Sequence, residues 1–130
     1  MKNLPGASDL LSIARDTLMN ELLPLVADDA KYTLLMVANA MAIASREVAV
    51  GDTAAVDALG RLDRLYGTPE RELHGAALLD AIAQHERRLA QDIREGHFDA
   101  DDARRRALLE HFQEDVAVRV RISNPKSLSR

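Results

Sequence analysis

Apolar residues recur at helical spacing along most of the chain, and one stretch is apolar on nearly every side. Residues 34–44 read LLMVANAMAIA and hold a single polar side chain, Asn39. A helix that is apolar all round is typical of a buried helix, with amphipathic helices packed around it. The pattern therefore predicts an all-α, single-domain bundle of about five helices around a central apolar helix at about 29–50. We expect Asn39 to be a buried amide with hydrogen-bond partners.

Glycines, prolines and capping residues set the limits of the predicted helices. Ser8 is a candidate cap for the first helix, and Pro24 ends or kinks it. Gly51 ends the second helix, and Pro69 suits the first turn of the fourth. The predicted helices run from about Asp9 to Pro24, 29 to 50, Thr53 to Tyr66, Glu70 to Glu95, and from the end of HFDADD to about Arg121.

The segment VAVRVRI, residues 116–122, fits either a helix or a strand, because its apolar residues alternate with period two. A single strand would have no sheet to join, so the sequence favours a helix to about Arg121, where SNP ends it. We predict one helical domain over residues 1–122 and a basic tail over residues 123–130.

Composition narrows the classes of partner. Seventeen Lys and Arg against 21 Asp and Glu give a net charge of −4, which argues against nucleic acid as the main partner. The chain has no cysteine, so thiol chemistry is excluded. The opening MKNLPGASDL has no continuous apolar segment, and the eleven-residue run is shorter than the ~20 residues that span a bilayer. We expect a cytoplasmic protein that does not bind membranes.

Known catalytic and metal motifs do not occur in the sequence. HFDADDARRRALLE places acids as a calcium loop would, but Arg104 stands where that loop needs glycine. The four histidines lie far apart and form no zinc motif, so we expect them on the surface. Neither a nucleophile elbow nor a glycine-rich phosphate loop is present. The sequence predicts no metal, no cofactor and no catalytic residue, and it favours a non-catalytic role.

Four segments carry a resemblance to a known family: VANAMAIASREVAVGD, REL, LLDAIAQHERRLAQDIREG and RISNPKSL. Together they resemble a family of small bacterial proteins of unknown function, whose genes often neighbour aminoglycoside-phosphotransferase-like kinases and acyl-CoA dehydrogenases. The resemblance implies an accessory role in acyl-CoA metabolism, and it gives no catalytic residue that could be transferred to this chain. The positions that match its motifs are Asn39, Ala40, Ile43, Arg46, Glu47, Arg94, Gly96, Asn124 and Pro125.

Three hypotheses follow for function. The chain is a helical module that binds a partner protein, a self-associating structural protein, or a small-molecule binder for acyl or anionic ligands. In the last case Arg46 or Arg94 would hold a carboxylate or phosphate, although Arg46 and Glu47 also fit a surface ion pair worth at most about 1 kcal/mol. We favour the partner-binding module. The candidate ligand- or partner-binding residues are Asn39, Arg46, Glu47, Arg94 and Asn124.

Overall fold

The computed structural model describes residues 3–129 and confirms the all-α class, with five α-helices and no strand in that range. Residues 116–122 lie inside the last helix, so the helical interpretation of VAVRVRI is confirmed. A π-helical turn follows the first helix and a short 3-10 helix follows the last. The helices are α1 (Ala7–Thr17), α2 (Asp28–Val50), α3 (Thr53–Leu65), α4 (Gly75–Arg94) and α5 (Ala103–Ser123); the π-helical turn is Leu18–Leu22 and the 3-10 helix is Pro125–Ser129.

The residues form two compact units. The α1–α2 unit comprises the residues up to Gly51 together with Ile122–Ser129, and the α3–α5 unit comprises Asp52–Arg121. The boundary falls inside α5, so its last two residues belong with the α1–α2 unit. The domain limits predicted from the sequence, 1–122 and 123–130, stay a prediction.

In the α1–α2 unit, α1 packs along one side of α2. Ala38 and Ser45 are the buried residues of α2, and small side chains at these positions let the two helices approach closely. The prediction of a central, fully surrounded helix is wrong. Only 11% of the most apolar 18-residue window of α2 is buried. Its exposed large apolar residues are Tyr32, Leu35, Met36, Val37 and Val48.

The prediction that Asn39 is buried is wrong for the same reason, since its side chain lies on an exposed part of α2. An apolar helix could bury every side, but burial requires neighbours on every side. α1 has 11 residues against the 23 of α2, so it covers only part of one face.

The α3–α5 unit holds the described apolar core, in two clusters of buried side chains. Leu62 and Leu78 are the most enclosed of them. α3 and α4 each carry one apolar stripe, and burying these stripes against each other satisfies both helices. The clusters are Leu62, Leu89, Phe98 and Leu108, and Leu59, Leu78 and Ala81.

One predicted helix start and one predicted helix cap are wrong. α4 begins at Gly75 rather than near Glu70, because Gly75 has a φ of 55° and the side chain of Arg71 is held by a residue of α3. α1 begins at Ala7, and Ser8 does not cap it: the Ser8 hydroxyl donates to the Ser45 carbonyl instead. The predicted stop at Gly51 is confirmed, where a φ of 59° suits glycine.

Candidate functional site

One side of α2 is exposed, and we call Tyr32, Met36, Asn39 and Ile43 its outer face. Steps of four, three and four residues place these side chains along one side of a helix, as in the seam of a coiled coil. Tyr32 is 73% exposed and Met36 is 49% exposed, and Ile43 is half-buried. Asn39 is therefore a polar group within an exposed apolar seam.

α2 is also the one described helix that is long and apolar enough to cross a membrane by length and composition. Charged residues limit its apolar length, since Lys31 and Arg46 enclose residues 32–45, which are 14 residues. At 1.5 Å per residue this segment is about 21 Å long, short of the ~30 Å hydrocarbon core of a bilayer.

Opposite the outer face, a serine cluster joins α2 to α1. The Ser45 hydroxyl donates to the Ser8 carbonyl at 3.0 Å, and the Ser8 hydroxyl donates to the Ser45 carbonyl at 3.0 Å. Ser12 Oγ lies 3.0 Å from Ser45 Oγ. Beside this cluster is a cleft of about 250 Å³, lined by Ser12, Arg15, Asp16, Ala42, Ser45 and Arg46.

Arg46 links α2 to the end of α5. Its Nε donates to the Ile122 carbonyl at 2.6 Å, which satisfies one of the carbonyls that a helix C-terminus leaves free. Asn124, another predicted binding residue, follows Ile122 by two residues in the sequence. In the described residues no ion pair joins Arg46 to Glu47, and Glu47, Asn124 and Arg94 are exposed.

The α3–α5 unit contains a buried polar cluster at Asp63. This carboxylate is 1% exposed; its Oδ1 accepts hydrogen bonds from Arg71 Nη2 at 2.8 Å and His85 Nε2 at 2.7 Å. Burial raises the pKa of Asp63, but the hydrogen bonds and charges of Arg71 and His85 outweigh burial and hold the pKa below its usual value. The cluster fixes the segment before α4 against α3.

Tyr66 extends this cluster. Its ring stacks on His85 with centroids 5.4 Å apart, and the Arg88 guanidinium lies 4.1 Å from the tyrosine ring centroid. The Tyr66 hydroxyl donates to Asp92 Oδ2 at 2.7 Å. Burial, together with the hydrogen bond to Asp92, raises the pKa of Tyr66 to about 12, so the phenol stays a neutral donor.

The sequence-based expectation that the histidines lie on the surface is wrong for His85 and His111, both of which are buried. Arg61 Nε donates to His111 Nδ1 at 3.2 Å. Burial, with the Arg61 charge, lowers the pKa of His111 and favours the neutral ring that can accept this bond. The sequence spacing does not indicate this burial, because the hydrogen-bond partners lie 22 residues from His85 and 50 residues from His111.

A cavity of about 440 Å³ beside this cluster has a lining that includes Arg61, Arg64 and Arg71. Two of these arginines already have carboxylate partners: Arg71 contacts Asp63, and Arg64 lies 3.9 Å from Glu70. Four carboxylates, those of Asp57, Asp63, Glu70 and Glu114, share the lining with the three arginines. The cavity therefore carries no surplus positive charge for an anion.

One group of side chains has the spacing of a metal site. Possible ligand atoms of Asp92, Glu95 and His97 lie within 4.8 Å of one another. Each already has a partner, because Asp92 accepts from Tyr66, Glu95 accepts from Gln91, and His97 lies 3.2 Å from Glu95. Local hydrogen bonds therefore explain why these three side chains lie close together.

Comparison with known proteins identifies the family. A family model described as a domain of unknown function, DUF6285, matches residues 24–127. The chain belongs to the DUF6285 family. Its matched region contains α2, α3, α4 and α5 and excludes α1. No curated protein and no solved structure matches the chain. The resemblance to an uncharacterised family of small helical proteins is thereby confirmed, and membership in DUF6285 defines no activity.

The five predicted site residues fall in both units: Asn39, Arg46, Glu47 and Asn124 belong to the α1–α2 unit, and Arg94 belongs to the α3–α5 unit. Asn39 lies on the outer face of α2, Arg46 lines the cleft beside α1, and Arg94 lies at the end of α4. Their role in binding stays a prediction. Sequence reasoning missed Ser12 and Arg15 of the cleft, and the helical spacing of small and polar residues on α1 is the signal that could have found them.

Proposed function

We propose that this chain is a non-catalytic helical interaction module that associates with a second copy of itself through the outer face of α2. The observation that carries the proposal is the exposure of that face, with Tyr32 73% and Met36 49% exposed. Exposed apolar surface of this extent marks interaction sites on soluble proteins, because association removes the surface from water.

Asn39 favours a second copy as the occupant. α2 runs from Asp28 to Val50, so Asn39 is its midpoint, with residues 28–38 before it and 40–50 after it. An antiparallel pairing with the two-fold axis at this point places the two amides opposite each other. An asparagine amide both donates and accepts hydrogen bonds, so the two amides can hydrogen-bond to each other. A single polar pair of this kind fixes the register of paired helices.

Lipid is the weaker alternative occupant. The segment between Lys31 and Arg46 is about 21 Å long and too short for the hydrocarbon core of a bilayer. Asn39 would lie at its centre with no partner there, which is costly in an apolar medium. We place the association in the cytoplasm of a bacterial cell. The link to acyl-CoA metabolism rests on the family resemblance alone.

A cysteine at the proposed axis tests the geometry. The chain has no cysteine, so Asn39→Cys supplies a single thiol that should oxidise to a covalent dimer, since facing residues at a two-fold axis approach closely enough for a disulfide. Leu79→Cys on α4 is the control, because Leu79 is exposed outside the outer face. Equal cross-linking of both variants would contradict the axis.

Sedimentation tests the association itself. We expect a dimer for the parent chain and a monomer for Met36→Glu, because a charge at the seam is not paired in the dimer. Leu79→Glu, a matched charge on another exposed apolar residue, should remain dimeric. A parent chain that is monomeric at all concentrations would overturn the proposal. If the parent chain instead sediments with lipid vesicles and Met36→Glu does not, the outer face binds lipid.

A further inference from the structure

We infer that the cleft between α1 and α2 binds a phosphate group through Arg15, Arg46 and Ser12. The cleft has a volume of about 250 Å³, which admits a phosphate group and its attached waters. On α2 it is lined by Ala42, Ser45 and Arg46; Ser45 lies on the side that packs on α1, and Arg46, three residues after Ile43, lies at the edge of the outer face. Met36 lies ten residues, about 15 Å, before Arg46 on α2, so the Met36→Glu variant separates phosphate binding from self-association.

Arg46 is the fixed donor of this site. Its Nε is used by the Ile122 carbonyl at 2.6 Å, which holds the guanidinium plane in place. A guanidinium has five N–H donors, so the two terminal nitrogens stay available. A guanidinium held before the ligand arrives loses little side-chain freedom on binding.

Arg15 is the donor that lacks an acceptor. Its Nε is buried, and it is the one buried side-chain nitrogen or oxygen of the described residues without a hydrogen-bond partner. Its ion pair with Asp16 is loose, with Nη1 3.7 Å from Oδ1, whereas charge-assisted hydrogen bonds measure about 2.7–2.9 Å. The Arg15 side chain is 40% exposed and lines the cleft, so its terminal nitrogens can donate to an oxyanion there.

The third donor is the Ser12 hydroxyl. The Ser45 proton is used by the Ser8 carbonyl, so in the 3.0 Å contact between Ser12 and Ser45 the donor is Ser12. That proton can turn to a phosphate oxygen, because Ser12 is exposed while Ser45 is buried. Ser45 then acts as the residue that positions Ser12.

Charge selects an anion. Arg15 and Arg46 contribute two positive charges and Asp16 one negative charge, so the lining carries a net charge of +1 in a chain whose net charge is −4. Two guanidinium groups and a hydroxyl suit the several oxygens of a phosphate group. A free phosphate ion and a phosphate monoester share this chemistry.

Calorimetric titration tests the site, with inorganic phosphate and a phosphate monoester as separate probes at constant ionic strength. We expect saturable binding of one phosphate group per chain with a Kd of about 1 mM or tighter. Arg15→Gln should weaken it at least tenfold. Arg87→Gln, which removes the same charge from an exposed position on α4, should not change it. Tighter binding of the monoester would show that the site recognises an attached group.

Two further variants keep the result interpretable if a mutation disturbs the fold. Ser12→Ala removes only the hydroxyl donor, and Arg46→Lys keeps the charge but loses the planar fork; each should weaken phosphate binding while the helical circular dichroism stays unchanged. Met36→Glu should bind phosphate as the parent chain does. Equal titrations of the parent and Arg15→Gln, or no saturation at about ten times the expected Kd, would overturn the inference.

Discussion

The two units of the molecule treat their apolar residues in opposite ways. In the α3–α5 unit, Leu62 and Leu78 are enclosed by neighbouring side chains, although α3 and α4 are rich in charge. In the α1–α2 unit, the most apolar helix of the chain leaves most of its apolar window in water. Amphipathic stripes on two helices therefore predict that the helices bury these stripes against each other. A helix that is apolar on all sides does not identify the neighbour that would bury it.

The largest expected effect is the loss of the Asp63 carboxylate from the α3–α5 unit. Asp63→Ala leaves Arg71 and His85 without their shared acceptor, and breaking a buried ion pair by removing one partner costs about 3–5 kcal/mol. Urea denaturation measures the free energy of unfolding. Asp57→Ala, at an exposed carboxylate of the same helix, should change it by less than about 0.5 kcal/mol.

Truncating one leucine in each unit tests the comparison directly. Leu62→Ala should lower the free energy of unfolding by about 2–5 kcal/mol, because Leu62 is 0% exposed and its removal leaves a cavity. Leu35 on α2 is 43% exposed, so Leu35→Ala should cost less than about 1 kcal/mol. Chemical denaturation at a concentration that keeps the chain monomeric is the measurement. Equal losses would mean that α2 is as enclosed as α3.

The smallest effect is the contribution of His111 to the pH dependence of the α3–α5 unit. His111 and Asp63 both have a lowered pKa in the folded chain, with ordinary values of 6.5 and 3.8. The unfolded chain therefore binds more protons, and stability should fall on acidification, first below pH 6.5 through His111 and then below pH 3.8 through Asp63. Denaturant titrations across this range measure it. His111→Gln should remove the upper step only, and a stability that rises on acidification would contradict the assignment.

Local signals predicted most of the helices. Gly51 ends α2 where expected, α3 begins at Thr53, and α5 continues through residues 116–122. These limits depend on capping and backbone preference, which act within a few residues. The start of α4 depends instead on Arg71, whose acceptor Asp63 lies in the preceding helix, so local preference for a helix after Pro69 was overridden.

The candidate sites were less accessible to sequence reasoning. Arg46 was predicted as a binding residue, but its contact with Ile122 joins positions 76 residues apart, and no spacing rule encodes that pairing. Likewise, the burial of His85 and His111 depends on hydrogen-bond partners that lie on other helices. Asn39 was predicted to be a buried binding residue because its neighbours in the sequence are apolar. In the structure it lies on an exposed face of α2 instead.

The bond from Arg46 to Ile122 also constrains the order of assembly. The α3–α5 unit is one continuous segment, Asp52–Arg121, whereas the α1–α2 unit includes Ile122–Ser129. During synthesis the ribosome releases every residue of the continuous segment before it releases the partner of Arg46. We therefore expect the bond between Arg46 and Ile122 to form only after the continuous segment has emerged, whereas the packing of α1 on α2 needs none of these later residues.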